Sequence, residues 1–147
     1  MAQTFTRQHP EIPFFVLLAD RVDDAKANAQ RALELALVYK ERGYQAWILR
    51  LLGGIHSQGE RAQLDEAEAY YQQALVLGDE LEMDPLRAHC LLGLGAVYER
   101  MGRTQRACAA LSAAGALYRA MGMTFWLPRA EAALERLGTA SRPETRG

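Results

Sequence analysis

From residue 23 onward, small and apolar residues recur at three- and four-residue spacing, the period of a helix with one buried face. Breaks in this pattern come at regular intervals. Asp84-Pro85 reads as an N-cap followed by proline in the first turn, and Gly102 as a stop, which predicts a helix over Pro85 to Met101. Thr104 caps the next helix, which runs to Met121 and stops at Gly122. Asp65 opens a helix to about Leu81, Gly43 and Gly59 bracket one from about Tyr44 to Gln58, and Asp23 or Asp24 opens one that ends near Arg42. The last helix covers about Phe125 to Leu137. No alternating β-branched run of strand length occurs, so the expected class is all-α.

The helices repeat. Ala25, Ala67 and Ala107 align at intervals of 42 and 40, with Ala32, Ala74 and Ala114 seven residues after each. An independent pattern, Leu49-x-x-Leu52-Gly53-x-x-His56, returns as Leu91-x-x-Leu94-Gly95-x-x-Tyr98, displaced by 42. Gly93 and Gly95 lie inside a predicted helix, where each costs about 1 kcal/mol relative to alanine. In a repeated helix pair, Gly95 facing Ala107 and Gly53 facing Ala67 would let backbones approach closely. Three segments follow: residues 1–22, where Pro10 and Pro13 leave only a short first helix at Ile12 to Ala19; a repeat domain over 23–138 closed by a capping helix; and a tail over 139–147.

The pattern L-x2-L-G-x2-Y followed by A-x3-L/Y-x2-A resembles the tetratricopeptide repeat (TPR) over about Ala25 to Leu137. It differs in three respects: Leu49 and Leu91 stand where the signature has Trp, His56 stands at the Tyr position, and the period is 40 to 42 rather than 34. The segments AWILRLLGGIH, LRAHCLLGLGAVYERMGR and MGMTFWLPRAEAALERL are similar to the C-terminal repeat arrays of large bacterial signalling proteins that join a nucleotide-cyclase domain to a P-loop ATPase. No GxxxxGK[ST] is present here. The resemblance implies a right-handed superhelix of antiparallel helix pairs, an α-solenoid, whose inner groove takes a peptide or partner helix.

Charge and composition narrow the partners. Basic and acidic residues number 17 and 18, so no global field attracts nucleic acid or an anionic membrane. The apolar run Ile12 to Ala19 is too short to span a bilayer and lacks the basic flank and small-residue site of a leader, which points to the cytoplasm. Two cysteines, Cys90 and Cys108, without metal-ligand spacing read as free thiols.

Catalytic chemistry finds little support in the sequence. His56 sits at a seam position, where a hydrogen-bonded core histidine is the simple reading, and the adjacent His89 and Cys90 point about 100° apart on a helix. No HExxH motif and no Ser-His-Asp spacing is present. The expectation is a chain that is not an enzyme, with no cofactor and no metal. Tyr70, Tyr71, Phe125 and Trp126 read as core and cap packing.

A second stripe on the first helices of the repeats is more informative. Measured at about 100° per residue from the seam, it carries Trp47, Arg50, Gly54, Ser57 and Gln58, then His89, Leu92, Ala96, Glu99 and Arg100, then Arg129, Ala132 and Arg136. The tetratricopeptide resemblance implies that this stripe lines the concave surface, and on that ground we take Trp47, Arg50, Gln58, His89, Glu99, Arg100, Arg129 and Arg136 as the candidate peptide groove, suited to an acidic segment. Protonation of His89 near its ordinary value of about 6.5 would add charge there as pH falls towards 6. The functional expectation is a regulatory protein–protein interaction module. Its alternatives are a sensor of a peptide or small ligand and a structural unit that homodimerises through Phe14, Phe15, Leu17 and Leu18 or through Phe125 and Trp126.

Overall fold

Among the described residues the chain forms six α-helices: α1 (Phe14–Val38), α2 (Arg42–Ser57), α3 (Leu64–Glu80), α4 (Asp84–Arg100), α5 (Thr104–Met121) and α6 (Leu127–Ser141). A single 3-10 turn, Arg61–Gln63, precedes α3. The computed structural model describes the backbone of residues 14–141 and the side chains of residues 21–139. Phe14, Phe15, Leu17 and Leu18, as side chains, lie outside the described residues, as do Ile12 and Pro13. Among the described residues there are no strands, and no helix is long and apolar enough to cross a membrane. Each helix packs on the next in sequence, and α4 also touches α2 and α6, so α2, α4 and α6 lie side by side.

The N-terminal part departs from the sequence expectation. Instead of a short helix ending at Ala19 and a new start at Asp23 or Asp24, α1 runs unbroken, and both aspartates lie in its interior. No glycine or proline interrupts Phe14–Val38, so the chain has no local reason to stop. The helix ends at Val38 rather than near Arg42, and Gly43 falls inside the first turn of α2.

Four of the helix stops follow one rule. In each of four turns the amide of the residue after a left-handed residue donates to the carbonyl five positions back: Glu41 to Ala36 (2.8 Å), Met83 to Gly78 (2.8 Å), Arg103 to Tyr98 (2.8 Å) and Met123 to Tyr118 (2.9 Å). This is the Schellman closure, which satisfies carbonyls left unpaired at a helix end. Its left-handed residues are Lys40 (φ 57°), Glu82 (φ 54°), Gly102 (φ 78°) and Gly122 (φ 68°). Lys40 and Glu82 are 42 apart, so the repeat is written in the backbone even where glycine is absent. Capping at the other ends differs too. Asp65, Asp84 and Thr104 lie in first turns, the N-cap positions are Gln63, Met83 and Arg103, and none of these makes a side-chain cap hydrogen bond.

The seam residues are buried as the register requires: Ala46, Leu52, Ala67, Ala74, Ala88, Ala107 and Ala114 are fully enclosed, and Leu49, Leu94 and Tyr98 nearly so. Leu91 is only half-buried. Ala25 is exposed, because among the described residues no helix lies before α1 to cover that face; α1 buries Ala29 and Ala36 instead.

The glycines correct the expected register. A Cβ on Gly95 would meet the side chain of Leu111 at 2.5 Å, and one on Gly53 would meet the Tyr71 ring at 2.8 Å. Each partner lies one turn beyond the predicted alanine. The glycines thus make holes for large knobs rather than bringing small residues together.

His56 is the buried seam histidine expected. Its Nδ1 lies 2.9 Å from the carbonyl of Leu52 and its Nε2 3.0 Å from Glu66 on α3. The matching residue of the next repeat, Tyr98, donates to Glu68 at 2.8 Å and accepts from Gln72 at 3.0 Å. In both seams a polar tip is tied to α3.

Candidate functional site

The stripe read on α2, α4 and α6 is accessible along its length: none of Trp47, Arg50, Gln58, His89, Glu99, Arg100, Arg129 and Arg136 is buried. The structure divides these residues into two groups with different roles.

At one end, charged groups satisfy each other and the backbone. Arg100 donates to the carbonyls of Ser57 and Gly59 (3.0 Å for the latter), and so covers the carbonyl end of α2 from α4. Arg136 on α6 pairs with Glu99 on α4 at 3.2 Å. Gln58 is the exposed C-cap residue of α2. Arg100 and Glu99 therefore stitch neighbouring helices together, Arg100 through its bonds to backbone carbonyls and Glu99 through its pair with Arg136.

At the other end, aromatic rings assemble around His89. The ring centroids of Trp126 and Trp47 lie 4.7 Å and 6.5 Å from that of His89. Tyr118, fully buried on α5, places its hydroxyl 2.7 Å from Nδ1 of His89. Burial pushes the Tyr118 hydroxyl up to about 12, against the opposing pull of Arg50, so it keeps its proton. This buried O–H has no other hydrogen-bond partner among the described residues, and it therefore donates to Nδ1 of His89. Burial, and after it the charge of Arg50, holds His89 below the ordinary histidine value. The neutral ring, accepting at Nδ1, carries its hydrogen on Nε2. The gain of charge expected near pH 6 accordingly moves to lower pH.

Two guanidiniums flank this cluster without an acid. Arg50, partly buried on α2, acts electrostatically on Tyr71, His89, Cys90 and Tyr118, and its Nε is enclosed with no hydrogen-bond partner. Arg129 lies 4.8 Å from the ring centres of both Phe125 and Trp126, a cation–π arrangement. No ion pair to either arginine occurs among the described residues, as for Arg61, Arg100 and Arg106, whereas Arg42, Arg87, Arg103, Arg119 and Arg136 each have a carboxylate.

Of the eight residues, then, Trp47, Arg50, His89 and Arg129 come together, and Gln58, Glu99, Arg100 and Arg136 do not join them. Tyr118 and Trp126 belong to the site and were read as packing or passed over. Trp126 does pack, but its ring also meets that of His89 in an edge-to-face contact. Tyr118 carried only the signal of a helix-spaced buried position, and nothing local says that its hydroxyl meets a ring 29 residues earlier.

Cys90 is enclosed and its thiol is pushed by burial up to about 12, so it remains protonated at neutral pH. Among the described residues no group of three or more His, Cys, Asp or Glu side chains is arranged to hold a metal. Comparison with protein families and with curated proteins finds no match to this chain.

Proposed function

We propose that the chain is a TPR-like right-handed α-solenoid that acts, without catalysis of its own, as a protein–protein interaction module of a bacterial regulatory or signalling system. It would bind a peptide or partner helix along the face shared by α2, α4 and α6. The observation that carries this reading is that Arg50 and Arg129 have no ion pair among the described residues, Arg50 one helical turn from exposed Trp47 and Arg129 over the ring of Trp126. An aromatic anchor next to unmatched guanidiniums is the composition of a protein-binding hot spot. The side-by-side order of α2, α4 and α6 supports the solenoid, and the shared 40- to 42-residue period supports the TPR-like repeat.

A peptide array tests it. Acidic peptides should bind the full chain, more weakly as salt rises, and an Arg50→Gln/Arg129→Gln variant should lose them. Equal binding to both proteins would remove the stripe from consideration.

A second reading, a dimerisation unit, draws on the other end of the array. Leu35, Val38, Tyr39 and Tyr44 are 50%, 71%, 71% and 67% exposed on α1, the following turn and α2. Light scattering at high micromolar concentration distinguishes it: a monomer leaves only the first reading.

A further inference from the structure

We infer that Arg50, His89 and Arg129 form a recognition site for an aspartate or glutamate side chain that has a large apolar neighbour on the same peptide, the neighbour packing on the Tyr44–Trp47–Leu51 ridge of α2. This rests on the groove-binding reading and gives it a ligand chemistry.

Local charge is the first ground. Arg50 acts on His89 and Tyr118, Arg129 acts on Tyr118, and no carboxylate acts on either His89 or Tyr118. Two positive charges thus sit on one patch of a chain whose net charge is −1. Nε of Arg50 is enclosed and has no hydrogen-bond partner among the described residues, so nothing on the inner side of the guanidinium offsets its charge. Nε2–H of His89 is a further donor, fixed by the Tyr118 hydroxyl on the opposite side of the ring. These groups only donate, so the complementary ligand accepts.

The surroundings select the kind of anion. Trp47, Trp126 and Phe125 supply apolar walls, and the cost of desolvating an ion climbs steeply with its charge. A carboxylate carries one charge and matches a guanidinium fork in its plane, whereas a phosphate group carries about two.

The apolar half of the ligand is set by α2. Tyr44, Trp47 and Leu51 are 67%, 40% and 48% exposed at helical spacing, and Arg50 is on the adjoining face. Trp126 is different: it stacks on Tyr118 at 6.3 Å and is covered by Arg129, so it acts as a post that positions the arginine rather than as a landing surface.

Because the chain has only two tryptophans, Trp47 and Trp126, their indole N–H resonances report directly on the site. The test titrates the isotope-labelled full chain with an acetylated, amidated peptide, Gly-Ser-Glu-Phe-Ser-Gly, with its Gln-for-Glu and Ser-for-Phe versions, and with inorganic phosphate. Expected is a shift of both indoles by the Glu-Phe peptide, with affinity reduced at least about tenfold by either change, in line with the worth of a hydrogen bond to a charged group or a buried aromatic ring. Arg129→Gln, on an exposed side chain, should abolish the preference for Glu over Gln while the helical circular dichroism stays unchanged; Arg50→Gln should do the same if it folds.

Equal affinity for the Glu and Gln peptides overturns the proposal, as does an equal effect of phosphate together with indifference to the phenylalanine. Array-selected peptides whose footprint misses both indoles would overturn this site and leave groove binding standing. Failure of every array peptide to bind would remove both.

Discussion

The ring of Tyr71 on α3 fills the space that a side chain at Gly93 on α4 would occupy: a Cβ there would lie 2.3 Å from Cζ of the ring. The base of the same ring closes Gly53 on α2, at 2.8 Å from Cγ. One buried tyrosine is thus held between two helices by two glycines. Each glycine costs about 1 kcal/mol in helix propensity, and burial of the aromatic ring more than offsets it.

Gly53→Ala and Gly93→Ala should each destabilise the fold by about 1–3 kcal/mol, the usual range for overpacking, despite alanine's better helix propensity. Gly43→Ala, with nothing within 4 Å of the added carbon, is the control and should be neutral or slightly stabilising. Urea melts of the single variants and of Gly93→Ala combined with Tyr71→Leu provide the check. The double variant should recover part of the loss, and strict additivity would place the ring elsewhere.

The left-handed turn residues make an opposite prediction for two non-glycine positions. Lys40→Gly and Glu82→Gly relieve a strained backbone and should each stabilise by about 0.5–1 kcal/mol, after allowance for the greater freedom of glycine in the unfolded chain. Gly122→Ala, at φ 68°, should cost about 1 kcal/mol. Thermal melts of the three variants decide the matter by sign alone.

Burial sets the scale of the seam substitutions. Leu52→Ala and Leu94→Ala, at 0% and 3% exposure, should cost about 2–5 kcal/mol, and half-buried Leu91→Ala less than either. Glu99→Ala breaks a surface pair with Arg136 and should change stability by no more than about 1 kcal/mol. Denaturant midpoints in this order support the register; a large effect at Glu99 would contradict it.

Stability should respond to pH on both sides of neutrality. Because His89 is held below its ordinary value of about 6.5, the unfolded chain takes up the proton first as pH falls. Its contribution is therefore complete above about 6.5 and is lost as pH drops through the lower folded value. Tyr118 is displaced upward, to about 12, so its contribution is complete below the unfolded value of about 10 and is lost as pH rises towards 12. Thermal melts from pH 5 to 11 should show His89→Gln flattening the acid side relative to the parent and Tyr118→Phe flattening the alkaline side. Parallel curves for parent and variants would mean that neither group is in the environment described.

The helical class, the buried faces of α2 to α5 and the accessible stripe on α2, α4 and α6 were legible in the sequence, because helical period and burial are both local properties of spacing. Ala46, Leu52, Ala88 and Leu94 are enclosed where the seam register put them, and Trp47, Arg50, His89 and Arg129 lie on the stripe that excluded them from it. Two of the four Schellman turns were marked by glycine; the other two, at Lys40 and Glu82, carried no residue-type signal, and the stop before Lys40 was displaced, whereas α3 ends within one residue of the expected Leu81.

What the sequence could not decide was which side chain meets which across helices. Gly95 was matched to Ala107 because both are small, yet Leu111 fills the space, since packing conserves volume between opposing positions rather than similarity of size. Eight stripe residues looked equivalent in one dimension. Tertiary contact gave Arg100 to the end of α2 and Arg136 to Glu99, left Arg50 and Arg129 unmatched, and brought Tyr118 from the core to fix the tautomer of His89. Spacing along a chain sets the face on which a residue lies. The charge it feels and the partner it keeps depend on neighbours tens of residues away, which only the packed helices bring within a few ångströms.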